Sequence, residues 1–478
     1  MAAIVLVPAL ICGLVLALGS ARRALLDVYL PALLLLPQYY VLRLPHLPPL
    51  GFADAAILPL GTVLIATQMR RWRWAWMDLW VLLLAASQGL SEAMSTELAN
   101  GDWLRIFSAD FIASPRFNTN LADGALMFVD GVLTMVLPYM AGRLLIEQDG
   151  ERQAMREKLV ARIAVLLAVV ALVSVRDFLT GTNGWQRMMG RIFPNAYESW
   201  PEQVRWGFGR IAGPYGHAIL AGMVFLMGLI YCLWLCSANH EWGARRLMSG
   251  LPVTGRGLAL AAIVAGLLMT QSRGPWIGVA LALVFALLTR YLPVAKAAAA
   301  FLVFIACFAT LAIFAANRYT ARQMRQASSE EQRNAIYRRE LLANYAPVVR
   351  QRMLFGWGVT TYPAVNGQQS IDNQYLMLAV KEGFAGLGIF LTIVAGTAAK
   401  LLRLIAQPME PRDRMLAFAH MSVLIGLVAT LATVYLGEQV VMLFFLLTGW
   451  VQAMRAAPAL APVAGPLDSR AGFRRVLV

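Results

Sequence analysis

Apolar runs long enough to cross a bilayer recur along the chain. A helical span needs about 20 apolar residues, and about thirteen such windows can be marked in the 478 residues. The windows lie near 2–19, 24–42, 52–68, 75–95, 121–142, 159–178, 214–236, 256–271, 275–290, 297–316, 373–398, 415–434 and 439–454. The sequence therefore predicts an all-α, polytopic membrane helix bundle with about 12–13 transmembrane helices. We interpret residues 1–478 as a single integral membrane domain.

Composition supports the same class. Hydrophobic residues make up 59% of the chain and charged residues 14%, which is more apolar surface than a soluble core could bury. We find no Walker loop, nucleotide fingerprint or Asp-rich cation motif, which argues against a cytoplasmic nucleotide-driven enzyme. No cofactor, metal ion or nucleic acid is expected. The cysteines lie in apolar stretches without metal-ligand spacing and are typical of small buried side chains; they are Cys12, Cys232, Cys236 and Cys307.

Basic residues indicate which connections face the cytoplasm. The net charge is +15, and short basic connectors fall between alternate pairs of spans. The positive-inside rule makes these connectors cytoplasmic. They are Arg22-Arg23, Arg70 to Arg73, Arg143 to Lys158, Arg245-Arg246, Arg290 to Lys296, Lys400 to Arg414 and the tail after Arg455.

The opposite face then carries every long connection. The first residues also start there, with Met1 to Ser20 crossing inward. A cleaved signal peptide is the alternative for that segment, but its arginines follow the apolar run instead of preceding it. The external segments are 43–51, 96–120, 179–213, 272–274, 317–372 and 437–438.

Residues 317–372 form a long external loop with eight arginines and no lysine. Such a loop is either a solvated surface, since long loops translocate with little regard to charge, or a binding surface for a doubly charged or phosphorylated ligand. A capping box at 328–332 predicts a short interfacial helix that extends to Pro347. Its spacing places Arg333, Tyr337 and Glu340 on one face. It also directs Ile336 and Leu342 toward the membrane part.

Other external arginines occupy tight turns. Arg273 lies in the turn Thr270-Gln271-Ser272-Arg273-Gly274 between two spans. This turn is too short to extend far into the solvent. Such an arginine either reaches the interface or points at a charged ligand. Arg205 and Arg210 precede the Gly213-Pro214-Tyr215-Gly216-His217 turn, where glycines allow close approach of the backbone to a ligand. Arg273 and Arg210 are therefore candidates for an anion clamp.

The candidate carboxylate is Asp372, at the start of a span and followed by Asn373. Asp and Asn are also preferred helix N-caps, so a purely structural role is the alternative for Asp372. Glu438 is the next acidic candidate on this face. His217 also faces this side, although a single histidine at a helix start is more often structural.

The order of these motifs resembles the O-antigen ligase and polymerase family. The resemblance covers about residues 205–390 and is weak in the first five spans. It rests on the Gly-Pro-x-Gly-His turn after an arginine, Ser272-Arg273-Gly274, the arginine-bearing external loop, Gly356-x-Gly358, and Asp372-Asn373 followed by nine residues and Gly383-x-x-Gly386.

This resemblance implies an integral membrane glycosyltransferase of the GT-C type, metal-independent, in the bacterial inner membrane with its site on the periplasmic face. The donor would be an undecaprenyl-pyrophosphate-linked glycan, and the acceptor a saccharide or a lipid-linked saccharide. Polysaccharide chain-length or export proteins are possible partners. The ligases that this stretch resembles have a histidine immediately before the Asn-x9-Gly-x-x-Gly pattern, where this chain has Asp372. That departure favours a polymerase of exopolysaccharide or O-antigen repeat units.

The expected chemistry needs cations near the pyrophosphate and a base near the acceptor hydroxyl. Arg273 and Arg210 would bind pyrophosphate, and Asp372 would accept the proton. The remaining residues predicted to bind substrate are Arg205, Arg333, Arg338, Tyr337, His217, Asn373 and Glu438.

Two other functions stay open. An O-antigen or protein O-oligosaccharide ligase would share the site chemistry and differ in its acceptor. A lipid-linked glycan transporter or flippase would also need an arginine-lined cavity, but it should place ionisable residues near the middle of the bilayer. Asp130 is the clearest such acid, and the sequence shows no internal repeat.

Overall fold

The computed structural model describes residues 2–69, 72–94, 111–112, 121–147, 151–193, 203–247, 253–320, 330–365, 367–368 and 370–455. Helices dominate this part of the chain, which confirms the predicted all-α polytopic membrane bundle. By length and composition, seven of the described helices can cross a membrane. They are Leu121–Leu145, Arg152–Thr180, Ala218–Ala238, Arg273–Tyr291, Val294–Ala315, Gly383–Ala406 and Pro411–Leu431.

The first half of the chain forms nine helices in the described residues. They are α1 (Val7–Leu18), α2 (Ala21–Ala24), α3 (Leu30–Leu35), α4 (Phe52–Gln68), α5 (Trp76–Met94), α6 (Leu121–Gly131), α7 (Leu137–Leu145), α8 (Arg152–Thr180) and α9 (Gly184–Ile192). Wider π-helical turns, Leu25–Tyr29 and Val132–Val136, join α2 to α3 and α6 to α7 without a break.

The second half carries nine more helices in the described residues. They are α10 (Ala218–Ala238), α11 (Gly255–Met269), α12 (Arg273–Tyr291), α13 (Val294–Tyr319), α14 (Glu330–Gln351), α15 (Gln374–Lys381), α16 (Gly383–Ala406), α17 (Pro411–Leu431) and α18 (Glu438–Ala453). The described elements also include two 3-10 helices, Ala2–Leu6 and Gly213–Tyr215, and four short strands: β1 (Phe111–Ile112), β2 (Val204–Arg205), β3 (Phe208–Gly209) and β4 (Ala364–Val365). β1 pairs with β4, and β2 pairs with β3, both antiparallel.

Helix α10 lies at the centre of the bundle. Of the residues in the apolar stretch of α10 that can span the membrane, 83% are buried. The corresponding share in α13 is 6%, so α13 is peripheral. Elsewhere the bundle packs through glycines: a Cβ added at Gly142 of α7 would lie 2.0 Å from the Leu446 carbonyl oxygen of α18. Gly449 makes the reciprocal approach to the Tyr139 carbonyl oxygen, also at 2.0 Å. Small residues of this kind bring membrane helices into backbone contact.

The predicted span at 373–398 is divided in the structure. Helix α15 ends at Lys381, and α16 begins at Gly383, which has a φ of +68°. Gly356 of the loop, with a φ of +70°, packs against this break. A Cβ on Gly356 would lie 2.4 Å from the Lys381 carbonyl oxygen, and one on Gly383 would lie 2.4 Å from the Leu354 carbonyl oxygen. Both positions therefore require glycine.

The helix predicted within the external loop is present as α14, but two details differ. It continues past Pro347 to Gln351, because Val348 is fully buried and its carbonyl accepts a hydrogen bond from Trp357 Nε1 at 2.9 Å. Tertiary packing thus overrides the proline stop signal. Ile336 is buried as expected, whereas Leu342 is 52% exposed and Leu341 packs inward in its place.

Candidate active site

A cavity of about 430 Å³ opens at the end of the bundle that carries the long loops. It lies between the 203–219 segment, the 272–274 turn, helix α14 and the chain entering α15. Four arginines and one aspartate share its wall: Arg205, Arg210, Arg273, Arg338 and Asp372. His217, Tyr337, Gln203, Ser272, Asn334 and Thr433 also line it.

Arg205 and Arg210 bind the turn that precedes Arg273. Arg210 Nε donates to the Thr270 carbonyl at 3.2 Å, and its Nη2 donates to Ser272 Oγ at 3.0 Å. Arg205 Nη1 donates to the Gln271 carbonyl at 2.7 Å. These contacts hold a turn whose residue Gln271 has a φ of +49°, a conformation that non-glycine residues rarely adopt. The arginines thereby become one rigid group with the start of α12.

Helix α14 supplies the opposite wall of the cavity. Arg338 is accessible from the cavity, and its Nη2 donates to the Thr433 carbonyl at 3.4 Å. Partial burial against the wall lowers the pKa of Arg338; Asp372 opposes this shift, and the cations Arg205 and Arg273 add to it. An arginine keeps its charge under such a shift. The cavity is therefore strongly cationic, with one carboxylate facing the arginines.

Asp372 is positioned by a hydrogen-bond chain from the loop helix. Tyr337 Oη donates to the Ser370 carbonyl at 2.7 Å and accepts from the Ser370 amide at 3.0 Å. Ser370 Oγ then donates to Asp372 Oδ1 at 2.7 Å. Asn373, and not Asp372, is the N-cap of α15, since its side chain accepts from the Leu376 amide at 3.1 Å. Asp372 is therefore not the N-cap of α15, and its catalytic role stays a prediction.

His217 is the N-cap of α10. Its Nδ1 accepts from the Ile219 amide at 3.1 Å, which assigns the proton of the neutral ring to Nε2. Burial, followed by the charge of Arg210, lowers the pKa of His217 to about 4, with Asp372 opposing and Arg338 adding to the shift. The imidazole is thus neutral at pH 7. It can donate a hydrogen bond toward the cavity, and it is a poor proton acceptor.

The structure brings together seven of the ten residues singled out in the sequence; of the other three, two lie outside the cavity lining and one has a side chain that the structure does not describe. Arg333 is exposed on α14 outside the cavity lining. Asn373 is engaged as the cap and donates to the Ala432 carbonyl at 3.3 Å. Glu438 begins α18, and its side chain lies outside the described residues. The catalytic and binding roles of all ten residues stay predictions.

A hydrogen-bond network fastens the external loop to the α15–α16 break and to α5. The Trp357 and Gly358 amides donate to the Val380 and Lys381 carbonyls, both at 2.9 Å. The Thr360 amide donates to Glu92 of α5, also at 2.9 Å. The glycines of the Gly-x-Gly and Gly-x-x-Gly patterns thus build the frame that sets the position of α14 over the cavity.

Sequence reasoning missed a second cavity, of about 380 Å³, between the first and second halves of the chain. Its lining includes Asp54, Asp130, Lys381 and Glu382, together with the amides of Gln38, Gln88 and Gln374. Gln374 Oε1 accepts from the amide of Leu436, another residue of this lining, at 2.7 Å. The signal was present in the sequence as the Lys381-Glu382 pair inside a predicted span.

Comparison with known proteins supports the resemblance found in the sequence. No curated protein matched the chain. Residues 258–391 match the family model Wzy_C, described as O-antigen ligase. The matched segment contains Arg273, Arg338 and Asp372, while Arg205 and Arg210 precede it. Over this segment, which is less than half of the chain, the protein is similar to the O-antigen ligase family.

Proposed function

We propose that this protein polymerises undecaprenyl-pyrophosphate-linked oligosaccharide units on the periplasmic face of the bacterial inner membrane. One observation carries the proposal. A single cavity at the end of the bundle contains four arginines and, facing them, one carboxylate held by the loop helix. That combination suits a reaction in which a pyrophosphate leaves and a hydroxyl attacks.

The arginines would bind the donor pyrophosphate. Their planar guanidinium groups match phosphate oxygens bidentately, which the point charge of a lysine cannot do. Arg205 and Arg210 are already fixed by the turn before Arg273, so they need little reordering when the anion arrives. Arg338 lies on the loop helix and would bind the same anion from above. The donor would thus be held between the bundle and the loop.

In the proposed transfer the acceptor hydroxyl oxygen attacks the anomeric carbon of the donor sugar. The bond between that carbon and the phosphate oxygen breaks, and undecaprenyl pyrophosphate leaves with the electron pair. Asp372 takes the hydroxyl proton, and a single displacement inverts the anomeric centre. The Nε2 proton of neutral His217 offers one further hydrogen bond to the developing phosphate charge.

Asp372 also favours a polymerase over a ligase. It occupies the position at which the ligases that the sequence resembles have a histidine, so an acceptor matched to that histidine is not expected here. The external orientation is supported by the opposite end of the bundle, where Arg73, Arg143 and Arg455 converge as the positive-inside rule requires. A growing polysaccharide is accordingly the proposed acceptor.

The test compares two arginines of one helix. Arg338→Ala should lower polymerisation about 10²–10³-fold, the usual loss when one preorganised charge-stabilising group is removed. Arg333→Ala, on the same helix but outside the cavity, is the matched control and should retain activity. The readout is the polymer ladder formed in the native host at equal protein levels. Arg273→Ala and Asp372→Asn should behave like Arg338→Ala, and a normal ladder in all three would refute the proposal.

A lipid-linked glycan flippase is the second candidate, and the second cavity favours it. Asp130, Lys381 and Glu382 line a space between helices, as expected of a transporter. The location of single repeat units in a strain lacking the protein separates the two functions. Accumulation on the periplasmic leaflet indicates failed polymerisation, whereas accumulation on the cytoplasmic leaflet indicates failed flipping.

A further inference from the structure

A second cationic pocket lies at the other end of the bundle. Its volume is about 490 Å³, and its lining includes Arg73, Arg143, Arg152 and Arg455. Helix α18 separates the two cationic sites, because Thr433 of the first precedes it and Arg455 of the second follows it. The 16 residues of α18 rise about 24 Å, so the second pocket cannot touch a ligand in the first.

The charge of this pocket is not balanced by its own acids. Among its described lining residues, Glu147 is the only carboxylate. Glu147 already accepts two hydrogen bonds, both at 2.6 Å, from the buried Arg156 and one at 2.7 Å from Trp450 Nε1. Arg143 pairs with Asp78 and lies 4.3 Å over the ring of Trp72. Arg73, Arg152 and Arg455 therefore leave an excess of positive charge at the pocket mouth.

An open apolar groove adjoins the pocket along α16. It has a volume of about 830 Å³, and it runs past Leu391, Ala395, Gly396 and Leu404 toward Lys400 and Arg403. The Lys400 ammonium donates to the carbonyl of Gln452, which lines the arginine pocket, so the two spaces share a border.

The wall of the groove is shaped for an acyl chain. The small residues Ala395 and Ala399 leave space on the α16 surface. Trp76 packs against Gly396, where an added Cβ would come within 2.1 Å of the indole. This tryptophan is 54% exposed, as is typical of side chains at the level of lipid headgroups.

We propose that this site binds an anionic phospholipid, with the headgroup phosphate among the arginines and one acyl chain in the α16 groove. A basic pocket between helices on the cytoplasmic side is suited to such a headgroup. The adjoining groove distinguishes this site from general attraction to a charged membrane surface, because it offers a fixed path for the chain. A soluble anion would use the pocket alone and would gain nothing from the groove.

The first test measures lipid affinity by native mass spectrometry of the purified protein in neutral detergent. Phosphatidylglycerol should bind more tightly than phosphatidylcholine. The triple variant Arg73→Gln/Arg152→Gln/Arg455→Gln should bind phosphatidylglycerol roughly 100-fold more weakly, from roughly 5-fold for each arginine. The matched control replaces three exposed arginines outside the pocket, Arg245, Arg246 and Arg412, by glutamine. If the control variant lost as much affinity for phosphatidylglycerol, the loss would come from the reduced net charge and not from the pocket. That result would overturn the proposal.

The second test leaves the charges unchanged. Ala395→Phe fills the groove and should weaken phosphatidylglycerol binding at least several-fold, while Ala306→Phe, on the exposed surface of α13, should not. Glycerophosphoglycerol, which is phosphatidylglycerol without its acyl chains, should bind far more weakly than the lipid. Equal binding of that headgroup, with no effect of Ala395→Phe, would show a soluble-anion pocket and refute lipid recognition. Because Ala395→Phe keeps every arginine, this test remains decisive if the triple variant does not fold.

Discussion

Gly383→Ala should loosen the external loop from the membrane bundle. Gly383 has a φ of +68°, and an alanine Cβ there would lie 2.4 Å from the Leu354 carbonyl oxygen and 2.7 Å from the Gly356 amide nitrogen. Both neighbours are backbone atoms, so no flexible side chain can move aside. The loop must shift away from the α15–α16 break to admit the methyl group.

The cost can be worked out from the contacts that such a shift removes. A left-handed backbone costs an alanine about 1–2 kcal/mol. The Phe384 and Ala385 amides donate to the Met353 and Leu354 carbonyls at 2.6 and 3.1 Å. Losing these two bonds adds about 1 kcal/mol each. The substitution should therefore destabilise the loop attachment by about 3–4 kcal/mol.

Two measurements check this prediction. Thermal unfolding of the purified protein in detergent should show a lower midpoint for Gly383→Ala, and proteolysis of the 317–372 loop should be faster. Gly388→Ala is the matched control, because it lies on the same helix with no atom within 4 Å of an added Cβ. That control should be neutral or slightly stabilising. Equal midpoints and equal cleavage rates for the two variants would refute the reasoning.

Three further perturbations test other parts of the structure. Tyr337→Phe removes both hydrogen bonds to Ser370, so it should lower the free energy of unfolding by about 1–2 kcal/mol and also reduce polymerisation. Unchanged polymerisation would show that these hydrogen bonds do not contribute to the reaction. Because the pKa of His217 is about 4 when folded and near 6.5 when unfolded, the unfolded chain binds more protons between these values. Stability should therefore fall as pH drops from 6.5 toward 4, and His217→Asn, which keeps a capping side chain, should flatten that part of the melting profile. Arg156→Met leaves two buried carboxylates without their cation and should cost about 3–5 kcal/mol; a wild-type melting midpoint would contradict this.

The helices of the bundle were predictable because membrane spans are encoded locally. A run of about 20 apolar residues is visible in the sequence whatever its neighbours are. The structure differs from that pattern where distant contacts decide. The chain breaks after Lys381 because Gly356, far away in the sequence, packs there, and no local propensity signals that contact. The close packing of Gly142 and Gly449 is likewise absent from any hydropathy profile.

The candidate site was likewise predictable in part from local sequence, while the rest depended on distant contacts. Arg273 stood out because it lies in a tight turn between two spans, and Asp372 because it lies at the start of a span; the structure places both in one cavity. Helical periodicity put Arg333 and Tyr337 on one face of α14, yet only Tyr337 reaches the cavity, since the tilt of the helix depends on its anchoring. Lys381 and Glu382 were not identified as site residues because they lie within an apolar run. The residues that stabilise their charges lie on other helices, so the local sequence does not show them.

The arginines of the 317–372 loop had two interpretations, a solvated surface or a ligand site, and the structure places individual arginines in different surroundings. Arg338 lines the cavity, Arg333 on the same helix is exposed outside its lining, and Arg339 donates to the Thr320 carbonyl as a structural contact. Charge content alone could not separate these roles, because all three residues contribute equally to it. What separates them is the orientation of α14, which depends on the Gly356 and Gly383 contacts. If the loop detaches there, Arg338 leaves the proposed donor site together with the support of Asp372, so a substitution outside the cavity should abolish the proposed transfer.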